Sequence, residues 1–309
     1  MRVGERLRRA WRGFDLSWLG PLGLVVLFDD RVPELRWFAL FFLVYPLQWV
    51  RGLVRLVLWN RRRPRNSPPL TLGRVVLYGV SLCLALFNPW IFVQSLLMAA
   101  GQLLAGFRTA LRPPQRNARV NLAPPFTGVW TVARGGVEPD SSHSWGIPNQ
   151  RYAYDLFVTD ASGRSHEGNG RRPQDYYAFG RPILAPGDGV VVQVRDGERD
   201  GPWPGVVDPF ARDARGNFVV IRHGPRAYSL LAHLQRGSVC VRAGETVREG
   251  QTIGRCGNSG HSTEPHLHVH VQDQANFYLA AGVPVCFGGQ SPGPGDRVTG
   301  DASPSPHRS

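Results

Sequence analysis

The chain has no lysine: all 36 of its basic residues are arginine. Histidine is absent from the first 140 residues, and all nine copies lie beyond them. Imidazole chemistry is therefore confined to the C-terminal part. The four cysteines, Cys83, Cys240, Cys256 and Cys286, show no Cys-x-x-Cys spacing, which excludes a cysteine metal framework. Two of the last three could pair in an oxidising compartment, but their spacing does not choose which. Ser259 lacks the strand–elbow–helix setting of a serine nucleophile, which argues against a serine hydrolase.

Acidic residues are scarce in the first 120 positions, where 18 arginines face five acids for a net +13; residues 121–309 hold 18 of each. A nucleic-acid enzyme would carry its basic surplus on the folded domain. Here the surplus flanks apolar segments, as in a membrane anchor, so no nucleic-acid partner is expected. The stretch Leu16–Asp29 is short for a span and lacks a small-x-small cleavage site, which argues against a cleaved signal peptide. Trp37–Val50 is also short. Arg51 and Arg55, four apart before Trp59, fit an interfacial amphipathic helix. The run Val75–Phe107 has no charge and is interrupted only by Asn88-Pro89. Such a run is expected to be membrane-embedded. Seven arginines in 51–74 against four in 108–120 place the first loop in the cytoplasm and everything after Phe107 outside.

The expected organisation is a basic arm with α-helical membrane segments over 1–107, a proline-containing linker over 108–125, a domain over 126–287, and a disordered tail over 288–309. The domain shows short strand-like runs at Gly128–Ala133, Tyr152–Thr159, Gly189–Val194, Asn217–Arg222, Ala227–His233, Ser238–Val241, Thr252–Arg255 and His266–Gln272. Gly, Pro and Asp punctuate them and no long 3.6-residue period appears, which predicts an all-β antiparallel domain.

His266-Leu-His268-Val-His270 is the most informative string. On a strand its three imidazoles share one face, enough to hold a metal and leave a ring for proton transfer. Upstream lie Gly216-Asn217, then Ser229-Leu-Leu-Ala-His233-Leu, then Gly257-Asn-Ser-Gly260, leading into Pro265-His-Leu-His268. In this order and spacing the motifs resemble the lysostaphin/LytM family of zinc endopeptidases, over about half of the chain. The resemblance implies the family's duplicated hybrid motif fold, a Zn2+ cofactor, and His268 and Asp155 as zinc ligands. It also implies His266 and His233 as the catalytic histidines and peptidoglycan peptides as substrate. No His-Glu-x-x-His segment is present, so a thermolysin-type site is excluded.

One position departs from the family pattern. The family's first histidine ligand stands four residues before the aspartate, where this chain has Arg151, whose guanidinium stays protonated. The nearest upstream histidine is His143, 12 residues before Asp155, on a segment containing Gly146 and Pro148 that can double back. His143 is therefore expected to complete a His143–Asp155–His268 set. The expectation is a membrane-anchored zinc metalloendopeptidase with its C-terminal domain extracytoplasmic. The alternative is a catalytically degenerate domain that binds cell wall or regulates another hydrolase. Which of His233 and His266 moves the proton, and the oligomeric state, are not legible in the sequence.

Overall fold

The computed structural model describes residues 72–111 and 119–301. The basic arm, the short apolar stretches of 16–29 and 37–50, the interfacial segment at 51–59 and residues 302–309 lie outside the described residues.

The charge-free run forms two helices, α1 (Leu72–Leu86) and α2 (Pro89–Leu111). They part at Asn88-Pro89, because proline lacks an N–H and is tolerated only in a helix's first turn. Asn88 Oδ1 accepts from the Trp90 amide at 3.0 Å and so caps α2. The same side chain donates through Nδ2 to the carbonyls of Pro209 (3.0 Å) and Ala211 (2.7 Å) in the β domain. Farther along, Gln94 donates to the Arg212 carbonyl at 2.6 Å and accepts from the Ala214 amide at 3.1 Å. Met98 packs with Phe218, Val220, Leu230, Ala232 and Phe277. A Cβ at Gly101 would collide with the Tyr278 carbonyl, so only glycine permits this approach. Arg108 pairs with the buried Asp273 at 3.0 Å. One face of α2 is thus committed to the domain, while Trp90, Val93, Leu104 and Phe107 stand exposed on the helix. A 21-residue stretch of α2, Pro89–Thr109, is long and apolar enough to cross a membrane.

The domain is built on strands β2 (Gly128–Arg134), β3 (Tyr154–Phe157), β5 (Gly189–Arg195), β6 (Asn217–Gly224), β7 (Ala227–Leu234), β8 (Thr246–Val247), β10 (Leu267–Gln272), β11 (Gly282–Val283) and β13 (Arg297–Gly300). They form one antiparallel sheet in the order β13-β2-β3-β10-β7-β6-β5-β8, with β11 also on β10. A smaller antiparallel pair joins β4 (Pro182–Leu184) to β9 (Thr252–Arg255). A parallel pair joins β1 (Val120–Leu122) to β12 (Val285–Phe287).

Strand alternation separates the two faces of the large sheet. Tyr154 and Leu156 of β3, Leu231 of β7, and Leu267, Val269 and Val271 of β10 enter the main core with Trp130, Val219 and Ile221. Asp155, Ala232, His268 and His270 occupy the opposite face, the one that α2 partly covers.

Three expectations about boundaries are corrected. The linker over 108–125 is shorter at both ends, since α2 runs to Leu111 and β1 begins at Val120. The segment Ser238–Val241 is not a strand: the Asp196 carboxylate takes the amides of Gly237 (2.7 Å) and Val239 (3.1 Å), and the Cys240 amide donates to the Ile253 carbonyl at 3.1 Å. The tail is not disordered throughout from Gly288, because β13 extends the sheet beside β2. Val298 lies opposite Trp130 and is buried, and Gly300 fits tightly against the Phe126 carbonyl. One valine and one glycine are enough to dock an edge strand but too few to register in composition.

Asn217 ties a long loop to the sheet. Its Oδ1 accepts from the amides of Gly197 and Glu198, both at 2.8 Å, and its Nδ2 donates to the carbonyls of Glu198 (2.8 Å) and Leu234 (3.0 Å). The side chain is fully buried with all four valences used. Replacing it with alanine strands buried amides and carbonyls. Asn217→Ala is therefore expected to destabilise the chain by about 2–4 kcal/mol, read as a lowered denaturation midpoint at unchanged slope; a loss below about 0.5 kcal/mol would contradict this account.

Candidate metal centre

Register places the first two candidate ligands side by side. Asp155 of β3 is the cross-strand partner of His268 of β10, and His268 Nδ1 lies 2.9 Å from Asp155 Oδ1. His143 arrives from a loop, with Nε2 at 3.4 Å from Asp155 Oδ2. One donor atom from each of His143, Asp155 and His268 lies within 4.8 Å of the others. Two imidazoles and a carboxylate form a donor set suited to zinc. Donors bound tetrahedrally at ~2.0–2.2 Å stand roughly 3.3–3.6 Å apart, and the two imidazoles here lie 2.9 and 3.4 Å from the Asp155 carboxylate oxygens.

The departure at Arg151 has a structural counterpart. Arg151 Nε donates to the Trp145 carbonyl at 3.1 Å, and its guanidinium lies 5.4 Å from the Trp145 ring centre. Ser142 Oγ donates to the Arg151 carbonyl at 2.7 Å and accepts from the Ser144 amide at 3.2 Å. Trp145 meets Tyr152 edge-on. A single 3-10 turn at Pro148–Gln150 reverses the chain. The residue that replaces the expected histidine thus fastens the base of the loop that carries His143 inward.

His233 reaches the same face by breaking strand alternation. Ala232 is opposite His268, so on a regular strand His233 would point into the core. Between Asn217↔Leu234 and Val219↔Leu231, β7 advances three residues while β6 advances two, a β-bulge. Among the described residues, His233 is the only non-glycine with φ in the left-handed region, at 60°. The extra residue turns His233 toward His268 and returns Leu234 to the core. Strain of this kind persists where surroundings hold it. The His233 amide donates to the Arg215 carbonyl, and the His233 carbonyl accepts from Gly257, both at 3.0 Å.

The glycine motifs supply the rest of that hold. Gly216 (φ 67°) and Gly260 (φ 76°) approach so closely that a Cβ on either would strike the other loop's backbone. Ser259, between them in space, accepts from the Asn217 amide at 2.9 Å and donates to the Leu234 carbonyl at 2.6 Å. Its own carbonyl accepts from His233 Nδ1 at 2.8 Å. A carbonyl only accepts, so Nδ1 carries the proton and Nε2 faces the site with its lone pair. His266 is fixed in the same way: Nδ1 donates to the Glu264 carbonyl at 2.7 Å, with Ser262 Oγ at 3.1 Å. Its ring stacks on Phe157 at 5.0 Å between centres. The His233 and His266 rings are 4.8 Å apart.

Environment separates the two. Burial first, then the nearby His266 and His268, pull His233 well below the ordinary imidazole range. Burial opposes charge on His266 too, but Asp155, with Oδ1 at 3.6 Å from Nε2, outweighs it and raises that pKa. Burial alone would raise the Asp155 carboxyl. His143, His266 and His268 together hold it well below the usual carboxylate range, so it is an anion at neutral pH.

The structure therefore brings all five sequence-derived residues, His143, Asp155, His233, His266 and His268, to one place. Residues that sequence reasoning missed are Ser259, Ser262, the Glu264 carbonyl and Arg151, which orient the ring-bearing segments, and Gln272 below His270. Two of these carried a signal, Ser259 as part of Gly257-Asn-Ser-Gly260 and Arg151 as the departure from the expected histidine, though neither signal told what the side chain holds. His223 joins the Asp188 carbonyl to Ser229 Oγ, each at 2.8 Å.

Comparison with known proteins bears on the same region. Residues 174–278 match the family model described as Peptidase family M23. That span includes His233, His266 and His268 but neither His143 nor Asp155. Peptidoglycan DD-endopeptidase ShyA of Vibrio cholerae is 35% identical over 114 residues, covering 34% of this chain and 23% of that protein. ShyC of the same organism, also described as a peptidoglycan DD-endopeptidase, is 40% identical over 98 residues, covering 31% and 19%. The chain thus spans about a fifth to a quarter of the length of these curated relatives. The solved catalytic domain of the M23 protein EnpA from Enterococcus faecalis aligns at 18% identity and a TM-score of 0.33, over 52% of this chain and 93% of that one. Residues 174–278, which hold His233, His266 and His268, are thus the part of this chain that matches peptidase family M23.

Proposed function

We propose that this chain is a membrane-associated zinc metalloendopeptidase that hydrolyses peptide bonds in peptidoglycan, with its C-terminal domain extracytoplasmic. The observation that carries the reading is the meeting of His143, Asp155 and His268 beside two further imidazoles with fixed tautomers. A degenerate domain would have no need to keep a complete donor set together. The relatives' descriptions support the substrate class.

In this reading His143, Asp155 and His268 hold zinc. The metal supplies Lewis acidity toward a scissile carbonyl and lowers the pKa of bound water to roughly 7. The chain's own residues do the rest. Asp155 contributes the negative charge that offsets the cation's cost in a partly buried site. His233 and His266 both direct Nε2 into the site, fixed by Nδ1–H bonds to backbone carbonyls. One takes or returns a proton at Nε2, and the other, when it carries a proton on Nε2 as well as on Nδ1, donates to the developing oxyanion. Phe157 and the bulge at His233 keep both rings from turning away.

Membrane association rests on the apolar residues exposed on α1 and α2, Val76, Val80 and Leu84 with Trp90, Leu104 and Phe107. It rests also on the arginine surplus of residues 1–120. Because α2 is also bound to the domain, the domain would lie close against the bilayer.

Three outcomes are expected. The purified chain binds one zinc per molecule. His143→Ala and Asp155→Ala each lose it while keeping the β-rich circular dichroism spectrum; full zinc content in His143→Ala would remove His143 from the ligand set. His233→Ala and His266→Ala retain zinc but release muropeptides from sacculi ~10²–10⁴-fold more slowly, and zinc loss in either would mean that ligands and proton carriers have been confused. A reporter fused after residue 120 reads as extracytoplasmic and one near residue 65 as cytoplasmic, with the opposite labelling contradicting the orientation.

A further inference from the structure

Beneath His268 a chain of hydrogen bonds leads away from the site through fully buried side chains. His268 Nε2 lies 3.0 Å from His270 Nδ1, His270 Nε2 lies 3.0 Å from Gln272 Oε1, and Gln272 Nε2 donates to the carbonyls of Gln274 (2.8 Å) and Ala275 (3.2 Å). His270 and Gln272 are both wholly inaccessible to solvent. We propose that His270 and Gln272 are positioning residues that fix which nitrogen of His268 is left bare for a metal. This rests on the reading of His268 as a ligand.

The polarity can be followed from its far end, where chemistry leaves no choice. Backbone carbonyls only accept, so the Gln272 side chain must present its NH2 to Gln274 and Ala275. Its Oε1 therefore faces His270 and can only accept. His270 must donate from Nε2. The His270 ring is fully buried, has Phe277 6.1 Å away, and has no carboxylate hydrogen-bonded to it. A charged ring there would be costly, so it is neutral and its Nδ1 is an acceptor. His268 in turn must donate from Nε2. The nitrogen that the relay leaves unoccupied is Nδ1, 2.9 Å from Asp155 Oδ1 and on the side of the His143 donor, so it is the one that can give up its proton to a metal. The tautomer is thus set by two main-chain carbonyls some way along the chain rather than by the ligands themselves. Every second residue of β10 takes part, because strand alternation puts 268, 270 and 272 on one face.

The relay also fixes rotation. A ring held through Nε2 cannot flip to offer the wrong nitrogen without breaking a buried hydrogen bond. Partners of this kind typically govern ligand basicity and orientation, and losing them lowers metal affinity about 10–100-fold.

The test is zinc affinity of the full purified chain, by competition with a chromophoric chelator at one pH, beside the melting temperature of each variant without zinc. His270→Leu keeps the apolar bulk but cannot accept from His268, and is expected to bind zinc about 10–100-fold more weakly. His270→Gln offers an acceptor oxygen toward His268 and a donor NH2 toward Gln272, repeating the ring's polarity, and should bind within a few-fold of wild type. In the zinc-loaded protein, 15N NMR of the imidazoles should find the His268 proton on Nε2. Unchanged affinity in His270→Leu, or equal weakening in His270→Gln and His270→Leu at matched melting temperatures, would overturn the relay. So would a proton on His268 Nδ1. Should His270→Leu not fold, the NMR result and the His270→Gln affinity decide alone. Wild-type protein that binds no zinc would instead overturn the metal-site reading itself, whereas wild-type binding with no effect of His270 would overturn only the relay.

Discussion

A half-buried carboxylate is the point on which the site turns. Asp155 sits on an interior-facing strand of the sheet, and ionised carboxylates in such places are tolerated only with partners. Here the partners are three imidazoles from two parts of the chain: His143 from a loop, and His266 and His268 from the entry and the start of β10. Each is brought in by a separate device. Antiparallel register aligns His268 with Asp155. Arg151 and Ser142 brace the loop of His143. Ser262 and the Glu264 carbonyl set the ring of His266. Without an anion at 155, four rings would face one another with nothing to organise them.

The second dependence runs through Ser259. Its hydroxyl and carbonyl link β6, the end of β7 and the ring of His233. That linkage requires Gly216 and Gly260 to pass at backbone contact distance, which any side chain would forbid. Three sequence motifs separated by some forty residues are therefore one object in space. Their shared task is to hold a histidine in a backbone conformation that it would not adopt by itself. The strain at His233 and the bulge in β7 are two descriptions of the same departure, and the departure is what makes the ring available to the site.

Helix α2 joins the apolar N-terminal part to this machinery. Its cap residue, Asn88, is bonded to the domain, and Met98 packs on the same sheet face as the imidazoles. Arg215 extends that layer, lying 4.1 Å from the Phe218 ring centre and 4.7 Å from that of Phe277. The helix is part of the domain's packing on one side and an apolar surface on the other. Orientation of the site relative to any bilayer would thus be set by side-chain packing rather than by a free linker.

Much of this was legible without coordinates. Alternation in Leu267–Gln272 fixed which residues of β10 share a face, and turn residues marked most of the strands. The motif strings picked out His233, His266 and His268, and the protonated guanidinium of Arg151 pointed away from itself toward His143. What remained hidden was whatever depends on residues distant in sequence. The strands Val120–Leu122 and Arg297–Gly300 carry too little apolar weight to be seen alone and exist because a partner strand offers them a ladder. The β7 bulge is invisible because strand periodicity gives His233 the wrong face, and only the mismatch with β6 reverses it. The sequence by itself determined which side chains carry the chemistry, since residue type and spacing set what each can donate, accept or bind. Only the tertiary structure decided where their nitrogens point, because a tautomer and a ring rotation are fixed by hydrogen bonds to backbone atoms that no local pattern specifies.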